Sequence, residues 1–363
     1  MAHALLAPGQ LGLGRAYASG AIEVDDLDAA MRLLDSWRAP TLELRDRMRL
    51  VGAAVRACGL MRPPRRPAAE LRPRGERHTL SRDARAVRHH YDVSNDFFAL
   101  FLDRSMTYSC AVFSRGARTL EEAQTAKLEL VCTKLGLEEG DTVLDVGCGW
   151  GSFAVHAAAN HGAKVVGITL SRPQAELARR RAAEAGVADR VDIRVADYRD
   201  LRGERFDAIA SIGMVEHVGE EQIDVYAGQL AALLKPGGRL LNHGIARLRH
   251  SDPPAGPFSE RYVFPDADPL HLSRVLLALE RAGFVTDHAE GFAGDYVETL
   301  SHWARRLDEH LDEATRLAGG ERCRVWRLYL RASRNGFESG FTGVYQVRCH
   351  RPGGKSREMA PPD

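Results

Sequence analysis

The stretch Asp145-Val146-Gly147-Cys148-Gly149-Trp150-Gly151 can bring both a carboxylate and bare backbone against a small ligand. It follows the apolar, β-branched run Thr142-Val143-Leu144, so it reads as a buried parallel strand running into a turn and a helix start. Glycines in such a turn permit φ > 0 and close backbone approach, which points to a nucleotide-like cofactor at the C-terminal edge of a doubly wound sheet. Two details bear on which cofactor. The dinucleotide fingerprint is Gly-x-Gly-x-x-Gly with an acid about 20 residues on to hold a ribose. Here the loop is Gly-x-Gly-x-Gly, and the second strand, Lys164-Val165-Val166-Gly167-Ile168, ends at the neutral Thr169. S-adenosylmethionine carries a sulfonium and no phosphate, and Asp145 suits a cationic ligand. On the loop alone, a tight strand-to-helix turn that binds nothing is the competing account.

Further distinctive segments lie outside this loop. They are His90-Tyr91-Asp92-Val93-Ser94-Asn95-Asp96-Phe97-Phe98, Met106-Thr107-Tyr108-Ser109-Cys110, Gln124-x-x-Lys127, Ser211 to Gly219, Asn242-His243-Gly244-Ile245 and Gly294-Asp295-Tyr296. With these, the chain resembles the cyclopropane-fatty-acyl-phospholipid synthases, S-adenosylmethionine-dependent methyltransferases acting on unsaturated acyl chains. The resemblance runs from about residue 11 to 350. It includes Gly14-Arg15-Ala16-Tyr17-x-x-Gly20, typical of the bacterial phospholipid-modifying members.

The resemblance implies a methionine end of the cofactor near Tyr108, Ser109, Gly147 and Gly149, a ribose on Thr169 and Gln174, and adenine near Asp197 and Tyr198. Gln174 has a rival role, closing a capping box with Ser171, and Tyr198 could be a packed loop aromatic. A second implied constellation is Cys110, Glu216, His243, Ile245 and Tyr296, which in the family holds bicarbonate. The chemistry explains the need. An alkene attacks the sulfonium methyl and leaves a carbocation on the chain; a weakly nucleophilic base must then remove a proton, with water excluded. Taken singly, a buried Cys is usually a small hydrophobe and a His or Tyr at a strand end is usually structural. Jointly, in matching order, they favour function. His217 reads as structural beside Glu216. Ser333 stands where some relatives carry a cysteine once considered catalytic, so Cys110 is expected to be a ligand and not a nucleophile. The implied product is a cyclopropane fatty acid, the alternative a 10-methylene or methyl-branched chain.

The elements that must position these residues follow from periodicity. Strands are expected at 142–147, 164–169, 191–195, 206–212 and 239–246, a last strand at 343–347, and helices near 152–160, 171–185 and 221–234. Helices are also expected at 271–282 and over 298–335, and Lys235-Pro236-Gly237-Gly238 reads as a turn. Alternating strands and helices mean an α/β fold, a doubly wound Rossmann-like class I methyltransferase sheet. A small helical N-terminal domain is expected over 1–60, where Leu27, Met31, Leu34 and Trp37 recur at threes and fours. An Arg/Pro-rich linker at 61–90, a catalytic domain at 91–350 and a disordered tail at 351–363 complete the division.

At 363 residues the chain can bury a full core. Its 50 basic and 49 acidic residues give no whole-chain case for nucleic acid. Ten arginines (56, 62, 65, 66, 72, 74, 77, 82, 85, 88) nevertheless crowd between Arg56 and His90, interrupted by Pro63, Pro64, Pro67 and Pro73. That segment reads either as a solvated connector or as a contact for anionic lipid, each Arg adding about 1 kcal/mol near a surface. No run approaches the roughly 20 apolar residues of a membrane span. The N-terminus lacks the features of a secretory signal. Six scattered cysteines without Cys-x-x-Cys pairs favour reduced thiols in a cytoplasmic protein and offer no zinc-site spacing. The expected partners are therefore phospholipid acyl chains at the inner membrane face, and family analogy is compatible with a homodimer.

Overall fold

The computed structural model describes residues 9–36, 43–58, 66–71, 79, 82, 94–251 and 256–353. Helices α1 (Gln10–Ala18), α2 (Leu27–Ser36) and α3 (Leu44–Cys58) come first, then the short α4 (Asn95–Ala99) and the long α5 (Leu120–Leu135). Strands and helices then alternate: β1 (Thr142–Val146), α6 (Ser152–His161), β2 (Lys164–Thr169), α7 (Arg172–Glu184), β3 (Val191–Val195), β4 (Phe206–Ile212), α8 (Ile223–Leu233) and β5 (Leu234–Arg247). They are followed by α9 (Pro257–Tyr262), α10 (Leu272–Arg281), β6 (Val285–Gly291), α11 (Ala293–Glu309), α12 (Leu311–Ala318), α13 (Gly320–Glu338) and β7 (Thr342–His350).

The sheet has seven strands in the order β3-β2-β1-β4-β5-β7-β6. The first five run parallel, and β7 is antiparallel to both β5 and β6. This is the expected class I methyltransferase sheet. The chain steps outward from β1 to β3, then returns to place β4 on the other side of β1. The C-terminal ends of β1 and β4 thus flank a topological switch point, where open α/β sheets bind ligands.

Apolar layers cover both faces. Ala154, Ala157, Ala158, Ala175 and Ala178 let α6 and α7 pack close on one side, while Tyr226, Leu230, Val275 and Leu279 cover the other from α8 and α10. A third cluster, rich in aromatics, sits beyond the C-terminal strand ends. Phe97, Phe98, Phe101, Tyr108, Trp150, Trp303 and Trp326 meet there with ring centroids 5.0 to 6.4 Å apart.

The structure departs from expectation in a few places. β6 and α5 were not read from the sequence. The expected helical region over 298–335 begins earlier and is divided into α11, α12 and α13. Lys235 to Gly238 forms an irregular start to β5, with a register shift against β4 at Phe206/Ala208. Order extends past residue 350: Arg351 donates to the carbonyls of Ala231 and Leu234, while 354–363 lie outside the described residues. Trp37 and His90 to Val93 lie outside them too.

The N-terminal helices and the few described residues of the Arg/Pro-rich stretch are tied to the sheet-bearing part. Arg15 clamps Glu70, which also accepts from Tyr262 Oη. Leu71 N–H donates to the Arg261 carbonyl, and Arg82 forms a buried two-pronged pair with Asp266. Among the described residues no helix is long and apolar enough to cross a membrane.

Candidate active site

A cleft opens at the C-terminal ends of β1, β2, β3 and β4. Gly147, Gly149, Thr169, Gln174, Asp197 and Tyr198 all line it. Gly147 and Gly149 adopt φ of 77° and 53°, the left-handed region that favours glycine, and a Cβ at 147 would press on Met214 at 3.3 Å. Beneath the loop, Asp145 is fully buried, its Oδ2 without a partner among the described residues. Burial raises its carboxyl to about 7, against the pull of the Lys127 ammonium.

At the end of β2, Thr169 Oγ1 donates to Gln174 Oε1 over 2.7 Å. Ser171 caps α7 through the Gln174 amide at 3.4 Å, but the Gln174 carboxamide turns to Thr169 rather than completing a capping box. After β3, Asp197 holds Arg199 through both carboxylate oxygens, and that guanidinium lies 5.5 Å from the centre of the Tyr198 ring. Arg199, Met214, His217, Gln222, Phe264 and Asp266 line the cleft as well. Met214 and His217 fall inside a segment already singled out. Phe264-Pro265-Asp266 carries no sequence signal.

Cys110, Glu216, His243, Ile245 and Tyr296 come from four separate places: the loop before α5, a 3-10 turn after β4, β5 and α11. Cys110 is 1% exposed; its thiol donates to the carbonyls of Ala111 at 3.2 Å and Phe292 at 3.6 Å, and burial pushes its pKa well up. That is a resting thiol, not an activated nucleophile. Glu216 is raised to about 7 by burial, partly offset by backbone amides including that of Ile245; its Oε2 has no partner among the described residues. His243 is lowered to about 3 by burial, with Lys127 and Lys134 adding repulsion, and its Nε2 is likewise unpartnered. Gly244 lets the turn carrying Glu216 lie against β5, since a Cβ there would fall 2.1 Å from Val215 Cγ1. Tyr296 is half-buried, its ring 4.6 Å from Phe337 and 6.1 Å from Trp303.

A carboxyl raised to about 7, a neutral imidazole and a thiol make a buried set of low charge. In its protonated form the acid donates instead of repelling, and in that form the set can accommodate a small oxyanion. Glu216 Oε2 and His243 Nε2, both buried and unpartnered among the described residues, fit that demand.

The loop carrying Tyr108 and Ser109 stands apart from the cleft lining. Gln124 on α5 donates to the Thr107 and Ser109 carbonyls at 3.2 and 2.9 Å, and Lys127 Nζ donates to Ser109 Oγ at 3.0 Å. Lys127 is fully buried, which lowers it to about 8. On the far side of the loop, Asp295 accepts from the Phe113 and Ser114 amides, and Thr299 from the Ala111 amide. The Gln124-x-x-Lys127 and Gly294-Asp295-Tyr296 segments therefore hold the loop that ends at Cys110.

Cys110, Cys132, Cys148, Cys323 and Cys349 are free thiols. Cys132, His156 and His161 offer ligand atoms within 4.8 Å of one another, a grouping the sequence reading did not foresee. Both rings contact Glu129 Oε2 at 3.1 Å, which accounts for the cluster as a hydrogen-bonded link between α5 and α6.

Comparison with known proteins gives the family. The family model described as mycolic acid cyclopropane synthetase matches residues 78–347. A probable fatty acid methyltransferase of Mycobacterium tuberculosis is 41% identical over 94% of this chain and 82% of its own length. The cyclopropane-fatty-acyl-phospholipid synthase of Escherichia coli K12 is 33% identical over 94% and 84%. Among solved structures, the mycolic acid cyclopropane synthase CmaA1 complexed with SAH and CTAB superposes with a TM-score of 0.70 at 32% identity, covering 74% of this chain and 98% of that one.

Proposed function

The chain belongs to the mycolic acid cyclopropane synthetase family of S-adenosylmethionine-dependent methyltransferases, and from that membership we propose that it adds a one-carbon branch to the double bond of an unsaturated fatty acyl chain. The observation that carries the reaction class is the buried pair Glu216 and His243, an acid raised to about 7 and an imidazole lowered to about 3, each with a polar atom unpartnered among the described residues. A transfer to an amine nitrogen makes no carbocation and needs no such sheltered base, because its proton leaves to water.

When bound, S-adenosylmethionine supplies an electrophilic methyl, and bicarbonate supplies a base too weakly nucleophilic to trap a cation. Asp145 and the Gly147–Gly149 backbone would hold the methionine end, with Tyr108 and Ser109 across from them. Thr169 and Gln174 are placed for ribose hydroxyls, and Asp197 and Tyr198 for adenine. Cys110, Glu216, His243, Tyr296 and the Ile245 amide would fix the bicarbonate. Methyl transfer to one alkene carbon would leave the neighbouring carbon cationic, and loss of one proton to the base held by Glu216 and His243 would then close the valence. The packed rings from Phe98 to Trp326 keep water from that cation.

Whether a hydride migrates before the proton is lost sets the product. A 1,2-hydride shift that moves the cation onto the methyl-bearing carbon, followed by loss of a methyl proton, gives a methylene branch; a methyl branch follows only after reduction by a separate reductant. Loss of a methyl proton with no shift closes the ring and gives cyclopropane. The fatty acid methyltransferase is the more similar relative, 41% against 33% identity, and this favours the branched product, with cyclopropane as the second reading. We assign the acyl chain to phospholipid at the inner membrane face of a cytoplasmic enzyme. Leu44, Met48, Val51 and Val55 make an exposed apolar stripe on α3, beside the exposed Arg45, Arg49 and Arg56, as a peripheral anionic surface would require. The proposed division keeps the helical domain at 1–60 and the catalytic domain at 91–350.

The test incubates the protein with vesicles of monounsaturated phospholipid and methyl-labelled S-adenosylmethionine. A labelled lipid gaining one CH₂ is expected by mass spectrometry, with vinyl protons in its NMR spectrum. Ring protons would select the cyclopropane reading, and an unlabelled lipid would sink both.

A further inference from the structure

Two residues outside the proposed base pocket decide which face of His243 carries its proton. Strands β5 and β7 pair so that His243 and Gln346 are direct cross-strand partners. Gln346 is fully buried, and its Nε2 lies 3.2 Å from His243 Nδ1. Its Oε1 lies 2.7 Å from Lys134 Nζ. Lys134 is also fully buried, near the end of α5, where it pairs with Glu290 on β6. Arg115 contacts the other oxygen of Glu290 at 3.3 Å. The Lys134 ammonium stands 5.1 Å from the centre of the Phe292 ring, and that ring stacks on His243 at 6.3 Å.

The donor logic of this chain has one solution. An ammonium only donates, so the Gln346 atom facing Lys134 must be the oxygen. The carboxamide NH₂ then faces His243, whose Nδ1 must accept. A neutral imidazole carries one proton, so it sits on Nε2, the atom with no partner among the described residues. We propose that Lys134 and Gln346 are positioning residues that lock His243 as its Nε2–H tautomer, so that the ring presents a donor to the anion in the base pocket. The role of that donor rests on the function proposed above; the tautomer itself does not.

If Gln346 were free to turn over, its oxygen would face Nδ1 and draw the proton there. Nε2 would then present a lone pair to an anion, turning attraction into repulsion. Gln346→Glu tests this without changing shape. A carboxylate accepts from Lys134 and from His243 alike, which forces Nδ1–H, while the Lys134 partner keeps the fold. Lys134→Arg retains a donor and serves as the conservative control.

The readout is ¹⁵N NMR of histidine-labelled protein, with the His243 signals identified by their loss in His243→Asn. Wild type and Lys134→Arg are expected to show Nε2–H, and Gln346→Glu to show Nδ1–H. In the same variant the KM for added bicarbonate should rise about tenfold or more, as when outer-sphere partners of a functional histidine are lost. Affinity for S-adenosylhomocysteine should stay unchanged. An Nδ1–H signature in wild type, or an unchanged tautomer in Gln346→Glu, overturns the proposal. If the tautomers behave as stated while turnover ignores bicarbonate, the positioning role stands and the assigned base falls.

Discussion

The cofactor cleft and the buried pocket behind it are built on opposite principles. In the cleft, polar side chains satisfy one another: Thr169 with Gln174, Asp197 with Arg199. They lie at strand ends and exchange partners cheaply when a ligand arrives. In the pocket, Glu216 and His243 each keep a buried atom without a partner among the described residues, and burial raises the acid to about 7 and lowers the imidazole to about 3. The first region is prepared to bind. The second carries an unmet hydrogen-bonding demand that a small polar ligand would satisfy, and left unmet that demand costs stability.

Separating the two regions by mutation should produce the largest effect first. His243→Ala is expected to lower turnover by about 10²–10⁴-fold, the usual loss on removing acid–base machinery. Calorimetry with S-adenosylhomocysteine should show unaltered affinity; a parallel loss of cofactor binding would erase the distinction between cleft and pocket.

The cost of the pocket appears in the pH dependence of stability. Glu216 is raised from 4.5 to about 7, so the folded state binds its proton more tightly than the unfolded chain. Its stabilising contribution is full below pH 4.5 and is lost as pH rises towards 7. That amounts to about 3 kcal/mol. In Glu216→Gln this loss is absent, so urea unfolding should find the variant gaining on wild type by about that amount between pH 4.5 and 7.5. His243, lowered from 6.5 to about 3, acts in the other direction: its contribution is present above pH 6.5 and is lost as pH falls towards 3. Both proteins share that acid-side loss.

Changes in the cleft should be milder and confined to binding. Gln174→Ala removes the partner of Thr169, and affinity for S-adenosylhomocysteine is expected to fall about tenfold, equal to about 1.4 kcal/mol. Turnover at saturating cofactor should persist. Arg199→Ala, which frees Asp197 to move, should weaken cofactor binding only about threefold, within the usual range for one hydrogen bond. A collapse of turnover at saturation in either variant would mean that the cleft shares the work of the pocket.

The two regions were also unequally legible in the sequence. β1, β2 and β4 are largely buried, apolar-rich parallel strands ending in turn residues, while β3 alternates Val191, Ile193 and Val195 with Asp192 and Arg194; the bounds of all four follow from pattern to within a residue. The Asp145–Gly151 loop announces the cleft for the same reason. β6 was invisible because Val285 to Gly291 is a polar edge strand with no fully buried position. α5 escaped because its inward face includes Gln124, Lys127 and Lys134, which break the apolar stripe. Those are the residues that hold the Cys110 loop and orient Gln346. The pocket itself was legible only through the combined order of several motifs. Its members come from four parts of the chain, and no local spacing connects Cys110 to Tyr296. Gln346 did leave one trace, a lone amide in the apolar strand Val344-Tyr345-Gln346-Val347.

The antiparallel placement of β7 also has a consequence for biogenesis. A ribosome delivers β1 to β5, the glycine loop and every proposed cofactor contact long before it reaches β7. His243 waits 103 residues for Gln346. A nascent chain can therefore assemble a complete cleft while the imidazole beside it has no fixed proton. Competence for chemistry arrives with β7, so chains arrested upstream of residue 346 are expected to hold cofactor without turning it over.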